Sequence, residues 1–304
     1  MRLVLDARSA SFGALIDNAS LLGPTSSTMD DAVSTYRAAR IASTGWMAGR
    51  FLCPTSSLTD LAASLTRSLE AGEDPWEIGA VFDGDVGESA SAAQAFHTEM
   101  QPAATIAAAE VRIAGPRPAD IGAAIDAITS IQPEVVPFLE LDRVSLLGDQ
   151  AVTVASELSR RSMVGGVQIG LGAPSAAASL SVEAVAGFIS EAAAHRLPFR
   201  ISSGIKAPIR HCADDLWHHG FVNVLVAAAA AGQGQTLDTV TDIVAEADPE
   251  AFSMGAAFVS WRDTSIPGPT MRRVRANGFI GFASQDFRST VEALGDLGFL
   301  SDGT

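Results

Sequence analysis

Short apolar segments alternate with stretches of helical periodicity along most of the sequence, from Gly45 onward. This alternation is typical of βα units, in which each strand of a parallel sheet is followed by a helix. The pattern predicts strands at 46–53, 77–83, 107–114, 134–141, 165–171, 198–203, 255–260 and 278–283. Eight is the number of strands that closes a (β/α)8 barrel. The sequence therefore predicts an α/β fold of this type, a TIM barrel.

An open, doubly wound parallel sheet would show the same alternation. Such sheets often carry Gly-x-Gly-x-x-Gly at the turn after the first strand, where a dinucleotide binds. That fingerprint does not follow 46–53. We therefore favour the closed barrel and keep the open sheet as the alternative.

The segment 1–43 precedes the predicted repeat. Apolar positions at helical spacing in 5–16 and 29–36 flank a turn-forming segment at 23–27. This pattern predicts an N-terminal helical extension at 1–43, followed by the barrel at 44–304. Such helices would cap the barrel or form a contact between subunits, so we expect a homodimer as one arrangement.

Composition narrows the classes of function. The formal net charge is −15 at pH 7, which argues against nucleic-acid binding, since that binding relies on clustered Lys and Arg. The longest apolar run, 221–231, is too short to span a bilayer, and the first residues lack the apolar core of a signal peptide. Cys53 and Cys212 show no disulfide or metal-ligand spacing. We therefore expect a cytoplasmic protein that acts on a small molecule.

In a barrel, functional residues lie at the carboxyl ends of the strands and in the loops that follow them. For a few of these positions, such as Ser284, capping of the next helix is the simpler explanation. The candidate site residues selected by this rule are Arg50, Asp83, Glu140, Gln168, Ser202, Lys206, Arg210, His211, Arg262 and Ser284.

Lys206 is the only lysine among the 20 basic residues of the chain. A lysine amine can lose its proton when desolvated and attack a carbonyl carbon to form a Schiff base, whereas a guanidinium stays charged. A position that keeps Lys in so Arg-rich a sequence is a candidate for chemistry that Arg cannot perform. The alternatives are an ordinary surface lysine and a phosphate contact.

The segment 198–204, Pro-Phe-Arg-Ile-Ser-Ser-Gly, resembles the sixth-strand segment of deoxyribose-phosphate aldolase and related class I aldolases. In that family a Lys-Thr-Ser-Thr-Gly run carries the Schiff-base lysine. The family's lysine falls on Arg200, which cannot form an imine, so the resemblance implies imine chemistry only if Lys206 acts from the following loop. The segments 204–211, 220–224 and 278–282 also resemble bacterial barrel-like proteins with no assigned activity.

Glu140 ends an apolar strand, where desolvation would favour a general base. The alternative is an ion pair with Arg143 or Arg200. Arg200, Arg210 and Arg262 would form an anion clamp, because guanidinium groups bind carboxylate or phosphate with two donors. The glycines in 278–281, before the last helix, would favour a phosphate there, although they also permit close packing.

No pair of histidines has the spacing that places two imidazoles on one helix face. The carboxylates of Asp83, Asp85, Glu140 and Asp142 would nevertheless suit Mg²⁺ together with substrate oxygens. We therefore expect no cofactor in the leading hypothesis and Mg²⁺ in the alternative.

The leading hypothesis is an aldolase-like lyase that acts on a small anionic carbonyl compound. Lys206 would form the Schiff base, Glu140 and Asp83 would complete the catalytic set, and the remaining candidates would bind substrate. The second hypothesis is an isomerase or lyase, Mg²⁺-dependent or cofactor-free, with an enolate intermediate. The third is a non-catalytic scaffold or partner-binding subunit, for which the mouth of the barrel would be filled with apolar side chains.

Overall fold

A computed structural model describes residues 6–23, 26–113, 117–141, 149–171 and 180–300. The strands are β1 (Ile16–Asn18), β2 (Ala48–Pro54), β3 (Trp76–Val81), β4 (Ala104–Arg112), β5 (Val136–Glu140), β6 (Gly166–Gly170), β7 (Phe199–Ser203), β8 (Ile205–Ala207), β9 (His211–Ala213), β10 (Leu216–Gly220), β11 (Phe252–Met254), β12 (Phe258–Trp261), β13 (Thr264–Pro267) and β14 (Phe279–Ser284). The helices are α1 (Ala7–Phe12), α2 (Met29–Ile41), α3 (Leu58–Ser68), α4 (Val86–Met100), α5 (Pro118–Ile131), α6 (Asp149–Arg160), α7 (Val182–Ala194), α8 (Phe221–Gly232), α9 (Leu237–Ala245), α10 (Gly268–Asn277) and α11 (Phe287–Asp296).

Eight parallel strands close into a barrel in the order β1-β14-β7-β6-β5-β4-β3-β2. Helices follow the strands along the chain, as in a (β/α)8 barrel. The predicted fold class is therefore confirmed. The predicted strand at 107–114 is also a strand, which begins earlier, at Ala104.

The helical spacing predicted that the segment 1–43 forms an extension outside the barrel. This prediction is wrong, because part of the segment belongs to the barrel. α1 and α2 are helices, but β1 lies between them and pairs with both β14 and β2. A three-residue strand is too short to show alternation, and Leu15 and Ile16 are both buried, so the apolar spacing resembled a helix. The barrel thus begins at β1.

The predicted strand at 255–260 is not part of the barrel. β12 overlaps this segment and forms the middle of a three-stranded antiparallel sheet with β11 and β13. Apolar side chains on a short strand do not reveal which sheet the strand joins. The eight predicted strands therefore contain one strand that lies outside the barrel and omit β1.

The connection from β7 to β14 is much longer than the others. It contains the small sheet of β8, β10 and β9, then α8 and α9, then the β11–β13 sheet and α10. All residues of α8 from Phe221 to Ala230 are buried. The apolar run at 221–231 is thus an interior helix, and no helix in the described ranges is long and apolar enough to cross a membrane.

Apolar side chains pack between the strands and the surrounding helices. The rings of Tyr36, Phe51 and Trp76 form one such cluster, with centroids 4.9–5.5 Å apart. Inside the barrel, by contrast, Arg200 is only 2% exposed and contacts two carboxylates. Apolar packing thus joins the strands to the outer helices, and a buried ion-pair cluster lies inside the barrel.

Candidate active site

A cavity of about 540 Å³ lies at the carboxyl ends of β7 and β14 and beside the segment that follows β1. These three strands are neighbours in the barrel. The polar residues that line the cavity are Ser202, Ser203, Lys206, Ser284, Gln285, Asp286, Ser289 and Thr290. We refer to it as the mouth cavity. Its position matches that of active sites in (β/α)8 barrels.

The turn after β7 places Lys206 in this cavity. Gly204 has a φ of +82°, a backbone conformation that favours glycine. The chain then enters β8, where Ile205 is buried and Lys206 is exposed, as alternation along a strand requires. In the described part of the chain, no group forms a hydrogen bond or an ion pair with the Lys206 ammonium.

The first turn of α11 forms the opposite wall of the mouth cavity. Ser284 Oγ donates to the Asp286 carbonyl and accepts from the Asp286 amide, at 3.1 and 3.2 Å. Hydrogen bonds from the Ser289 hydroxyl and amide lower the pKa of Asp286 and hold its carboxylate as the cap of the helix. Ser284 therefore both organises the start of α11, as its alternative explanation predicted, and lines the cavity.

Ser202 connects the mouth cavity to Glu140. Its Oγ lies 3.5 Å from Glu140 Oε1, the long limit of a hydrogen bond. Arg112 donates to both oxygens of Glu140, at 3.1 and 3.2 Å. The predicted pairing of Glu140 with Arg200 is therefore incorrect, because Arg112 on the adjacent strand holds the carboxylate, and Arg143 lies outside the described residues. Glu140 thus contacts the lining of the mouth cavity through Ser202.

Arg200 does not line the mouth cavity, contrary to its predicted role in an anion clamp. It donates to both Asp17 and Glu110 inside the barrel, and its guanidinium lies 5.2 Å from the centre of the Phe138 ring. Arg200 precedes Ile201 in β7, and its side chain is enclosed between its two acidic partners. Its role is structural, because both carboxylates would lose their cation if it moved to bind a ligand.

Arg210 and Arg262 also have other partners. Arg210 stacks on Trp217, with its guanidinium 3.9 Å from the ring centre, and Arg262 forms an ion pair with Glu246 at 2.7 Å. Neither lines the mouth cavity. Arg200, Arg210 and Arg262 therefore make three separate structural interactions, and the prediction that they form one anion clamp is wrong.

Three further predicted site residues lie away from the mouth cavity. The ring of His211 stacks on His218 at 5.2 Å, on the β9–β10 hairpin. Gln168 is 3% exposed inside the barrel, and its Oε1 accepts no hydrogen bond. Arg50 points toward the opposite end of the barrel, where it lines a different cavity. Strand-end position alone did not reveal the direction of these side chains.

The carboxylates predicted for Mg²⁺ have local partners. Asp83 accepts hydrogen bonds from Thr55 and Ser56. Partial burial opposes its ionisation, but these bonds outweigh that effect and lower its pKa. Asp85 caps α4, and Asp142 lies outside the described residues. Among the residues that the structure describes, no three His, Cys, Asp or Glu side chains form a group suited to a metal ion.

The sequence did not point to the segment 19–23 as part of the site. This segment lines the cavity because it follows β1, which the sequence pattern did not reveal as a strand. Recognising β1 was the signal that would have found it. The chain matches no protein-family model and no curated protein sequence.

Proposed function

We propose that the protein is an aldolase-like lyase whose active site is the mouth cavity, and that Lys206 forms an imine with a small carbonyl substrate. The position of Lys206 supports this function most directly. The only lysine of the sequence lies at the carboxyl end of the barrel, in a cavity, with its ammonium unpaired among the described residues. An amine that is not held in an ion pair is free to approach a carbonyl carbon once it has lost its proton.

The lining favours a hydroxylated carbonyl compound. Among the described residues, five hydroxyl side chains line the cavity, with one cation, Lys206, and one carboxylate, Asp286. The hydroxyls of Ser284, Ser289 and Thr290 also bond to Asp286, so those of Ser202 and Ser203 on β7 are the ones nearest in sequence to Lys206. Hydroxyl groups both donate and accept, so they pair well with the hydroxyls of a ligand. The three arginines predicted to bind an anionic group, Arg200, Arg210 and Arg262, do not line this cavity. The proposed substrate is therefore defined by its carbonyl and hydroxyl groups.

The reaction that follows from this arrangement is cleavage of the bond between the carbons α and β to the carbonyl. The Lys206 amine adds to the carbonyl carbon, and the carbonyl oxygen leaves as water. The iminium then takes up the electron pair of the breaking carbon–carbon bond, which yields an enamine and an aldehyde. Ser202 relays to Glu140 the proton of the substrate's β-hydroxyl, whose oxygen becomes the carbonyl oxygen of the aldehyde. Protonation of the enamine carbon and hydrolysis of the resulting iminium restore the amine and release the second product.

The alternative functions have weaker support. Four carboxylates were expected to stabilise an enolate. Asp83 and Asp85 are engaged by Ser56, Thr55 and the start of α4, Glu140 is paired with Arg112, and Asp142 lies outside the described residues. A scaffold without catalysis would be expected to have a mouth filled with apolar side chains. The polar cavity beside Lys206 instead favours a small-molecule ligand.

Borohydride trapping tests the proposal. The protein is incubated with a panel of hydroxylated aldehydes and ketones, reduced, and examined by intact mass and peptide mapping. A substrate-dependent adduct on the Lys206 peptide, saturable with concentration, is the expected result. Apart from the N-terminal amine, Lys206 is the only primary amine in the sequence, so the adduct can be assigned directly.

Two variants make this experiment specific. Lys206→Arg keeps the positive charge and is expected to abolish both the adduct and turnover. The double variant Lys206→Arg/Arg67→Lys restores one amine on α3, at a position 62% exposed and outside the cavity, and is expected to stay unreactive. Equal trapping in the double variant, trapping confined to the N-terminal amine, or no adduct across the panel would contradict imine chemistry at Lys206.

A further inference from the structure

A second cavity, of about 450 Å³, lies at the amino end of the barrel, opposite the mouth cavity. Its position follows from its lining, which includes the residues at the starts of β5, β6, β7 and β14. Three arginines line it: Arg50 from β2, and Arg272 and Arg275 from α10. We refer to it as the basal cavity.

The described lining of the basal cavity is positively charged. Among the residues that the structure describes, it contains three guanidinium groups and no carboxylate, in a chain whose net charge is −15. In the described ranges, neither the Arg50 nor the Arg272 guanidinium forms a hydrogen bond or an ion pair. Clustered cations without counter-charges repel one another, so this arrangement favours an anion between them.

Arg275 is fixed in place by the backbone. Its two terminal nitrogens donate to the carbonyls of Phe279 and Gly13, at 2.9 and 2.8 Å. Both acceptors are neutral, so they orient the guanidinium without cancelling its charge. Its Nε is buried and has no hydrogen-bond partner. Arg275 therefore keeps both a full charge and an unused donor.

The nearest buried carboxylate is already engaged elsewhere. Asp17 accepts from the Arg200 guanidinium through one oxygen and from the Arg50 backbone amide, at 2.5 Å, through the other. Burial lowers the pKa of Arg275, and Arg50 adds to this shift although Asp17 opposes it. Burial likewise lowers the pKa of Arg50, and Arg200 adds to this shift, whereas Asp17, Glu110 and Glu77 oppose it. Asp17 therefore offsets part of the charge of Arg50 and Arg275, but among the described residues it forms no ion pair with either guanidinium.

We infer that the basal cavity is a binding site for a small organic anion, held by Arg50, Arg272 and Arg275. Forked guanidinium donors match the oxygens of a phosphate or a carboxylate. The remaining wall is apolar: Phe138, whose ring centre lies 5.7 Å from the Arg50 guanidinium, together with Val136 and Ile280. The ligand class is therefore an anionic head group attached to an apolar or aromatic body, of a size that the volume of the cavity accommodates.

Calorimetric titration with three probes tests this site: phenyl phosphate, benzoate and inorganic phosphate, at constant ionic strength set with chloride. Phenyl phosphate is expected to bind in a saturable manner and more tightly than inorganic phosphate, because its ring covers the apolar wall. Comparison of phenyl phosphate with benzoate distinguishes a phosphate site from a carboxylate site. Bound ligand should also raise the melting temperature.

Adjacent arginines on α10 provide the matched variants. Arg272 lines the basal cavity, whereas Arg273 lies beside a different surface depression, and both are exposed. Arg272→Gln is expected to weaken phenyl phosphate binding about tenfold or more, the effect of losing one charge-assisted hydrogen bond. Arg273→Gln removes the same charge and is expected to leave the affinity unchanged.

Lys206→Arg separates this site from the mouth cavity, and the result does not depend on the proposed lyase activity. Affinity that is retained in Lys206→Arg and lost in Arg272→Gln assigns binding to the basal cavity. If Arg272→Gln and Arg273→Gln weakened phenyl phosphate binding equally, the loss of affinity would reflect the overall charge of the protein and not a contact in the basal cavity. That result, loss of binding in Lys206→Arg, or no saturable binding of any probe at millimolar concentration would overturn the inference.

Discussion

Arg200 and Asp17 are 183 positions apart in the sequence, yet the guanidinium of one donates directly to the carboxylate of the other inside the barrel. Arg200 lies on β7 and Asp17 on β1, and β14 runs between these two strands. Glu110 on β4 accepts from the same guanidinium. One buried side chain therefore links three strands, including the short strand that completes the barrel.

Removing the Arg200 guanidinium should lower the stability of the folded protein. Arg200→Gln leaves two buried carboxylates without a counter-charge, and we expect the free energy of unfolding to fall by about 3–5 kcal/mol. Urea denaturation measures the loss. The control is Arg67→Gln, which breaks an exposed ion pair with Asp30 and should cost about 1 kcal/mol or less.

If Arg200→Gln does not fold, Arg200→Lys serves as the second variant, since it keeps the charge but loses the forked geometry. It should be less stable than the parent protein and still folded. Similar stability losses for the Arg200 and Arg67 variants would show that the buried cluster contributes no more than a surface pair.

Asn223 supports the start of α8 in a similar way, through uncharged hydrogen bonds. It is 1% exposed. Its Nδ2 donates to the carbonyls of Ile243 and Glu246, both at 2.8 Å, and its Oδ1 accepts from the Arg210 amide at 2.9 Å. These contacts connect α8 to the end of α9 and to the loop after β8.

Asn223→Leu should therefore destabilise the protein, by about 1–3 kcal/mol for each backbone group that it leaves buried and unpaired. Asn277→Ala is the control, because Asn277 is exposed and makes a single bond of 3.3 Å, to the Arg273 carbonyl. We expect its effect to stay within about 0.5 kcal/mol. Thermal unfolding of both variants compares them, and a stable Asn223→Leu would mean that water replaces these contacts.

Glu73 should make stability depend on pH. Burial opposes its ionisation, but hydrogen bonds from Arg37 Nε at 3.1 Å and Trp76 Nε1 at 2.6 Å outweigh this and lower its pKa below the usual 4.5. A carboxyl group whose pKa is lower in the folded state stabilises that state above its unfolded pKa. The stabilisation is lost as the pH falls through the folded value.

Comparison with Glu73→Gln isolates this contribution, because the amide does not titrate. The difference in unfolding free energy between the parent protein and Glu73→Gln should be full at neutral pH and should narrow below about pH 4.5. Urea midpoints between pH 7 and pH 3.5 measure it. A difference that stays constant over this range would contradict a titrating role for Glu73.

The alternation of apolar and helical segments was sufficient to predict a parallel α/β fold, because a parallel sheet covered by helices requires alternating strand and helix segments. The closed barrel was favoured over the open sheet by the count of eight strands and the lack of a dinucleotide fingerprint. The sequence pattern failed at β1, where three residues provide less than two periods of alternation. It also failed at β12, since an antiparallel strand with Val259 and Trp261 buried has the composition of a barrel strand. The first error concerns the type of a short element and the second concerns which sheet a strand joins, and tertiary packing decides both.

The site was predictable only in part. Lys206 stood out by residue type, and the rule that strand ends carry function placed it where a cavity is found. The directions of Arg200 and Arg50 were not predictable, since a register shift of one residue reverses which side of a strand a side chain faces. The three arginines of the basal cavity come from β2 and a late helix, and nothing local in the sequence brings them together.

The pairing of β1 with β14 also sets the order in which the barrel can be completed during synthesis. The first seven barrel strands have emerged from the ribosome by Ser203, but their partner for closure, Phe279–Ser284, follows only after the long insertion. Until then the nascent sheet has two unpaired edges, which are prone to pairing with other chains. The insertion therefore lengthens the interval in which the nascent protein depends on protection from aggregation.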